Sequence, residues 1–187
     1  MSRSPVIADE FVSPEAFLEA ESEARTRHEY VDGLVYAMAG TTEKHGVIKI
    51  AIASHLETLV EEPCRVFDGD MKLRISKGRS IRYYYPDIFV ACDPADDEQT
   101  VRTDAILVVE ILSPSTELYD RTSKFERYTL LPSIREIMLV AQKKAQVELF
   151  RKRTKWTREI YGAGDTIHLE SVGQDLEVAK IYRRLKL

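Results

Sequence analysis

The chain has 187 residues, 44% of them apolar and 31% charged, and 27 basic against 31 acidic side chains leave a net charge of −4. This length suits one domain over residues 1–187 with a core of its own, and the apolar fraction excludes a largely disordered chain. No apolar stretch approaches the roughly 20 residues of a membrane span, and Asp9 and Glu10 leave no room for a secretory apolar segment, so a cytoplasmic protein is expected.

Ser13-Pro14 reads as an N-cap with proline at the first helical position, opening a short helix to about Glu23. Asp32-Gly33 between His28–Val31 and Leu34–Ala39 is a strong two-residue hairpin signal. The clearest helix runs from about Thr42 to Glu61, with Ile48, Ile52, Leu56, Leu59 and Val60 on one face, and Pro63 stops it. Short strands are expected at Arg65–Phe67 and Met71–Ile75, then at Ile81–Tyr85 and Ile88–Cys92, before a polar loop at Asp93–Asp97. Ala105–Leu112 is the most apolar stretch. A helix from about Thr116 to Leu131 ends at Pro132, and strands at Glu136–Ala141, Gln146–Arg151 and Thr157–Tyr161 follow. The tail after Gly173 is ambiguous. Helices in front, a mixed sheet in the middle and one helix between strands make an α/β (α+β) domain.

Cys64 and Cys92 lack metal-type spacing and are expected to be free buried thiols in a reducing compartment. The acidic balance argues against a protein held to nucleic acid mainly by phosphate attraction. Charge is uneven, however: residues 143–158 carry seven lysines and arginines against Glu148 alone. A solvated β-hairpin explains that run as well as a binding patch does.

The chemistry lies in an anomaly. Ala105–Leu112 is apolar at every position but Glu110, and a strand apolar on both faces is normally covered on both sides. A carboxylate there costs several kcal/mol, of order 3–5, unless a cation, a basic side chain or a proton compensates it. An ordinary buried ion pair is one answer. Asp87 offers another, because it begins an apolar strand directly after Pro86, although Pro-Asp alone is commonly turn chemistry. If the two strands are neighbours the carboxylates converge, and like charges at short range need a cation between them. Mg²⁺ or Mn²⁺ suits carboxylate, carbonyl and water oxygens. Lys124 stands on the helix after the Glu110 strand, with Asp120 four residues before it and Tyr128 four after. It is either a surface ion pair with Asp120 or a lysine that orients a water beside the metal.

Acid after proline, acid within an apolar strand and lysine close downstream resemble the PD-(D/E)XK nuclease superfamily. Glu29-Tyr30-Val31-Asp32-Gly33, Pro86-Asp87, the block from Val109 to Thr116, Asp120 with Lys124 and Tyr128, and Pro132–Glu136 are similar to its Uma-type restriction-endonuclease branch. The resemblance covers the chain from about residue 11 onward. It implies a restriction-endonuclease-like mixed sheet flanked by helices, and phosphodiester hydrolysis with DNA as substrate and Mg²⁺ (or Mn²⁺) as cofactor. By the same resemblance Asp87, Glu110 and the backbone carbonyl of Ile111 are the metal ligands. Lys124 positions or deprotonates the attacking water, and Glu29 is an additional acid. One departure is visible: the position two after Glu110, where the superfamily carries its lysine, is Leu112, which moves that role to Lys124.

Asp70, His45 and Asp120 are weaker candidates; His45 near a helix start reads more naturally as a cap or surface residue. Tyr84 and Tyr85 are either base-stacking or packing residues. A catalytically silent nuclease-like fold that binds nucleic acid or a protein is the alternative. A serine hydrolase has no Gly-x-Ser-x-Gly elbow at Ser113 or Ser115, and four scattered histidines form no zinc pattern. A homodimer is compatible with cutting both strands of a duplex.

Overall fold

Local chemistry sets the first elements. In the computed structural model, which describes residues 6–8, 10–38, 40–94 and 98–186, a short strand β1 (Val6–Ala8) precedes α1 (Pro14–Glu23). Ser13 caps α1 by accepting from the Ala16 N–H. Strands β2 (His28–Val31) and β3 (Leu34–Ala37) flank a turn in which Asp32 and Gly33 both have positive φ, the mirror-image turn that matches strand twist. A side chain at Gly33 would also strike the Phe11 ring. Ala39, at the end of the expected second strand, and residues 95–97 of the expected Asp93–Asp97 loop lie outside the described residues.

Helix α2 (Glu43–Leu59) is capped by Thr42, whose hydroxyl oxygen accepts from the His45 N–H, and it buries Ile48, Ile52 and Leu56 completely. Each of these contributes about 1.5–3 kcal/mol of burial. Beyond Pro63 come β4 (Arg65–Asp68), β5 (Lys72–Lys77), β6 (Ser80–Tyr84), β7 (Ile88–Ala91), β8 (Val101–Arg102) and β9 (Ala105–Leu112). The helix expected near residues 116–131 is broken into α3 (Glu117–Tyr119), a π turn (Asp120–Lys124) and α4 (Phe125–Tyr128). Strands β10 (Glu136–Ala141), β11 (Gln146–Arg151) and β12 (Arg158–Gly162) follow. The ambiguous tail is a hairpin, β13 (Thr166–Leu169) with β14 (Gln174–Glu177), and a short helix α5 (Val178–Tyr182).

The strands form two six-stranded sheets, ordered β1-β3-β2-β6-β5-β8 and β12-β11-β10-β9-β7-β4. In the second, β9 runs parallel to β10 and antiparallel to β7. All eight β9 residues are buried. Leu107, Val109 and Ile111 pack with α2 and α5 on one side, while Val108 and Leu112 pack on the other with Tyr128 and with Leu73, Ile75 and Tyr84 of the first sheet. Covering on both faces is the physical reason for a strand apolar on both sides, and it places Glu110 in the interior.

The cysteines depart from expectation: Cys64 and Cys92 are not free thiols but a disulfide. Strand β4 pairs antiparallel with β7 so that Arg65 faces Ala91, which brings the residues just outside that pair together. Nothing local announces a partner 28 positions away. Constraining a loop of that length in the unfolded chain is worth about 3.6 kcal/mol. Cys92→Ala, or wild type in strong reductant, is expected to unfold at correspondingly lower urea. Equal midpoints with and without reductant would contradict it.

Candidate active site

Strands β7 and β9 carry the two central acids. Ile88 pairs with Val109, so Asp87, one residue earlier, comes opposite Glu110 across neighbouring strands. The Ile111 N–H donates to Asp87 Oδ2 at 2.7 Å, tying the start of β7 to the end of β9. Both acids line a cleft of about 250 Å³ together with Glu29, His45, Ile111, Asp120 and Lys124. Asp87 is the most open of the four carboxylates, with 20% of its side chain exposed against 4% for Glu110.

Lys124 reaches the cleft because α4 and the π turn lie across β9. Its Nζ is 2.7 Å from Glu29 Oε1, 3.3 Å from Glu110 Oε1 and 3.8 Å from Asp120 Oδ1, and it sits 5.7 Å from the Tyr84 ring centre. The exposed ion pair considered for Lys124 is therefore not what forms: both Asp120 and Lys124 are buried. Tyr128 donates its hydroxyl to Glu110 Oε1, and the Thr116 hydroxyl donates to Asp120 Oδ2 at 2.6 Å.

Burial dominates the proton affinities here. It pushes Glu110 up to about 8, against the lowering charge of Lys124 and with the Asp87 charge adding to the rise. Glu29 and Asp120 are also raised, again through burial first. Burial alone would lower Lys124, yet Glu110 and Glu29 hold it well above its ordinary value, so it remains an ammonium. Four carboxyl groups share one lysine here, and the raised proton affinity of three of them is the mark of a cleft in which full ionisation would leave an excess of negative charge.

His45 belongs to this site, contrary to its reading as a cap or surface residue. It is buried and its Nε2 lies 3.1 Å from Asp87 Oδ2. A carboxylate can only accept, so the ring proton sits on Nε2. The available signal was spacing: His45 continues the Ile48, Ile52, Leu56 stripe one turn towards the N-terminus. Gln142 and Thr116 also line the cleft and were not singled out. Asp70 is elsewhere, half-exposed or more and paired with Arg27. Tyr84 and Tyr85 are both buried; Tyr85 also lines the cleft and donates its hydroxyl to Glu21 at 2.8 Å.

The basic run at 143–158 is largely committed within the fold. Arg151 pairs with Glu136 and Glu159, Arg153 with Glu170 and Arg158 with Glu148, while Lys152 donates to the Pro132 carbonyl. It is not one free cationic face.

The residues fit a hard divalent cation by their donor chemistry: two carboxylates on adjacent strands, a nearby main-chain carbonyl and uncompensated negative charge. Among the described residues no three His, Cys, Asp or Glu side chains close into a ready cage. Mg²⁺ ordinarily keeps several waters and takes only one or two carboxylates, so such a cage is not required.

Comparison with known proteins agrees with this architecture. "Uncharacterized protein slr1290" of Synechocystis sp. is 36% identical over 192 residues, covering 99% of this chain and 98% of that protein. A second Synechocystis protein, "Uncharacterized protein sll1609", is 28% identical over 73% of the chain and 78% of its own length. The crystal structure of "a putative nuclease belonging to DUF820" from Anabaena variabilis superposes with a TM-score of 0.75, covering 92% of this chain and 98% of that one. At 16% identity that likeness shows a shared nuclease-like fold. Residues 14–180 match the Uma2 family, described as "Putative restriction endonuclease", and the chain belongs to that family.

Proposed function

We propose that the chain is an endonuclease that hydrolyses phosphodiester bonds of DNA with Mg²⁺ or Mn²⁺. The observation that carries this reading is the pairing of Asp87 and Glu110 on neighbouring strands in a cleft whose acids outnumber its cations. Without a cation such a cleft repels a phosphodiester. Asp87, Glu110 and the Ile111 carbonyl would hold the ion. When bound, it would supply Lewis acidity at the phosphoryl oxygen and acidify a coordinated water.

The chain's own residues do the rest. Tyr128 and Lys124 fix one oxygen of Glu110 by donating to it, leaving Oε2 for the ion. The Ile111 N–H holds Asp87 Oδ2, and His45 Nε2, 3.1 Å from both Asp87 oxygens, fixes the plane of that carboxylate. Among the described residues Lys124 is the one lysine or arginine on the cleft wall, and its ammonium would stabilise charge building on the phosphate. Glu29 holds Lys124 from the opposite side.

The alternative, a silent nuclease-like fold that binds nucleic acid or protein, draws support from Lys124 being held by three carboxylates. Incubation with plasmid, linear and single-stranded DNA separates the two. Wild type is expected to cleave only with Mn²⁺ or Mg²⁺, and an identically prepared Asp87→Ala is expected not to. Cleavage by both preparations would refute the site; binding without cleavage by wild type would favour the silent fold.

A further inference from the structure

Resting on that reading, we propose that Gln142 is a substrate-binding residue: its side-chain amide donates to a non-bridging oxygen of the phosphodiester next to the one being cut. Gln142 follows β10 and lines the cleft where α2 begins, beside Gly40, Thr41 and Thr42. It is 93% buried by its 7% exposure, yet its Nε2 has no partner among the described residues. Buried side-chain donors are nearly always paired, so one left unpaired in a residue that lines a cleft points to an incoming acceptor.

One end of the amide is held by Thr42. The Thr42 hydroxyl oxygen accepts from the His45 N–H at 3.2 Å, so its own proton is free to donate. It donates to Gln142 Oε1 at 2.9 Å. With Oε1 used as the acceptor, the two Nε2 hydrogens are the atoms left unmatched.

The chemistry of the surroundings selects an anion. Helix α2 is 17 residues long, and the amides of its first turn lack intrahelical acceptors. Lys44 in that turn, and Lys143 and Lys144 directly after Gln142, are exposed and have no carboxylate partner among the described residues. They contrast with the arginines of the same basic run, which are internally paired. The acids line the same cleft, so a second phosphate of the strand can lie by Gln142 while the first meets Asp87 and Glu110. Such a contact is made outside the reacting bonds and affects substrate affinity more than turnover.

The test compares wild type, Gln142→Glu and Gln142→Met. Cleavage kinetics are measured in Mn²⁺, and binding by fluorescence anisotropy in Ca²⁺ with two probes, a single-stranded oligodeoxynucleotide and an abasic one of equal length. Gln142→Glu replaces the donor by an anion and is expected to raise KM and both dissociation constants about tenfold or more, with kcat within about twofold. Gln142→Met, of similar volume, is expected to weaken binding about three- to fivefold and guards against a folding artefact. Equal affinity of all three proteins, meaning that the amide holds an ordered water only, overturns the proposal. Loss confined to the probe that has bases overturns the phosphate assignment. These results are separable from the parent reading: cleavage that requires Asp87 but ignores Gln142 sinks the subsite alone, whereas binding that requires Gln142 without any cleavage sinks the catalytic reading alone.

Discussion

Glu110→Gln is expected to reduce metal-dependent cleavage at least about 10³-fold while leaving metal-free protein as stable as wild type or more so. Glutamine keeps an Oε1 that accepts from Tyr128 and Lys124, so the packing contacts survive. What disappears is the charge. Burial holds the Glu110 carboxyl at about 8 in the fold against an ordinary value of 4.5. The folded state therefore binds this proton more tightly than the unfolded chain, and stability falls as pH rises from about 4.5 towards 8. Glutamine has no proton to lose, so the advantage of the variant should widen through that window. Thermal unfolding between pH 5 and 8.5, with EDTA and with Mn²⁺, reads both halves: Mn²⁺ should raise the wild-type midpoint and leave the variant unmoved. A variant that cleaves normally, or whose midpoint rises equally with Mn²⁺, would remove Glu110 from the metal site.

Lys124→Met should produce the largest loss of stability, about 3–5 kcal/mol, because it strands buried carboxylates without their shared cation. Glu29 lies 2.7 Å from the ammonium and Glu110 3.3 Å, and all three side chains are about nine-tenths buried or more. The effect belongs to the partners left behind rather than to the lysine itself. Adding Glu29→Gln to Lys124→Met is accordingly expected to restore roughly 1–2 kcal/mol, an interaction visible in a double-mutant cycle by urea unfolding. If the double variant is no more stable than the single one, Glu29 is not held by Lys124. If Lys124→Met costs nothing, the carboxylates take up protons with no penalty and the lysine is free for substrate alone.

The acids of this site were legible because each violates a local expectation. Glu110 interrupts an apolar run, Asp87 opens a buried strand after proline, and Lys124 stands at helical spacing from Asp120 and Tyr128. Helix α2 and the β2–β3 hairpin were legible from Thr42, the isoleucine stripe and Asp32-Gly33, which act within a few residues. The remainder depends on contacts between distant segments. His45 is placed by Asp87, 42 positions away, and Gln142 by Thr42, 100 positions away. The disulfide follows from the pairing of β4 with β7, and the first sheet is held together by the pairing of β2 with β6, about 50 positions apart. None of these leaves a periodicity in the sequence. The basic run misled for the same reason: its counter-charges, Glu136 and Glu170 among them, lie on other elements.

The π turn at Asp120–Lys124 gives the active-site lysine an address written in chain length. An α-helix advances about 100° per residue, so removing one residue from this turn would swing Lys124 by about that angle away from Glu110 and Glu29. Thr122 and Ser123, within the turn between Asp120 and Lys124, serve as spacers with respect to the ammonium, while Arg121 is committed to both oxygens of the buried Glu148. Over evolutionary time the segment can therefore exchange Thr122 and Ser123 far more freely than it can gain or lose a residue, and a lineage that shortened it would have to find its lysine somewhere else.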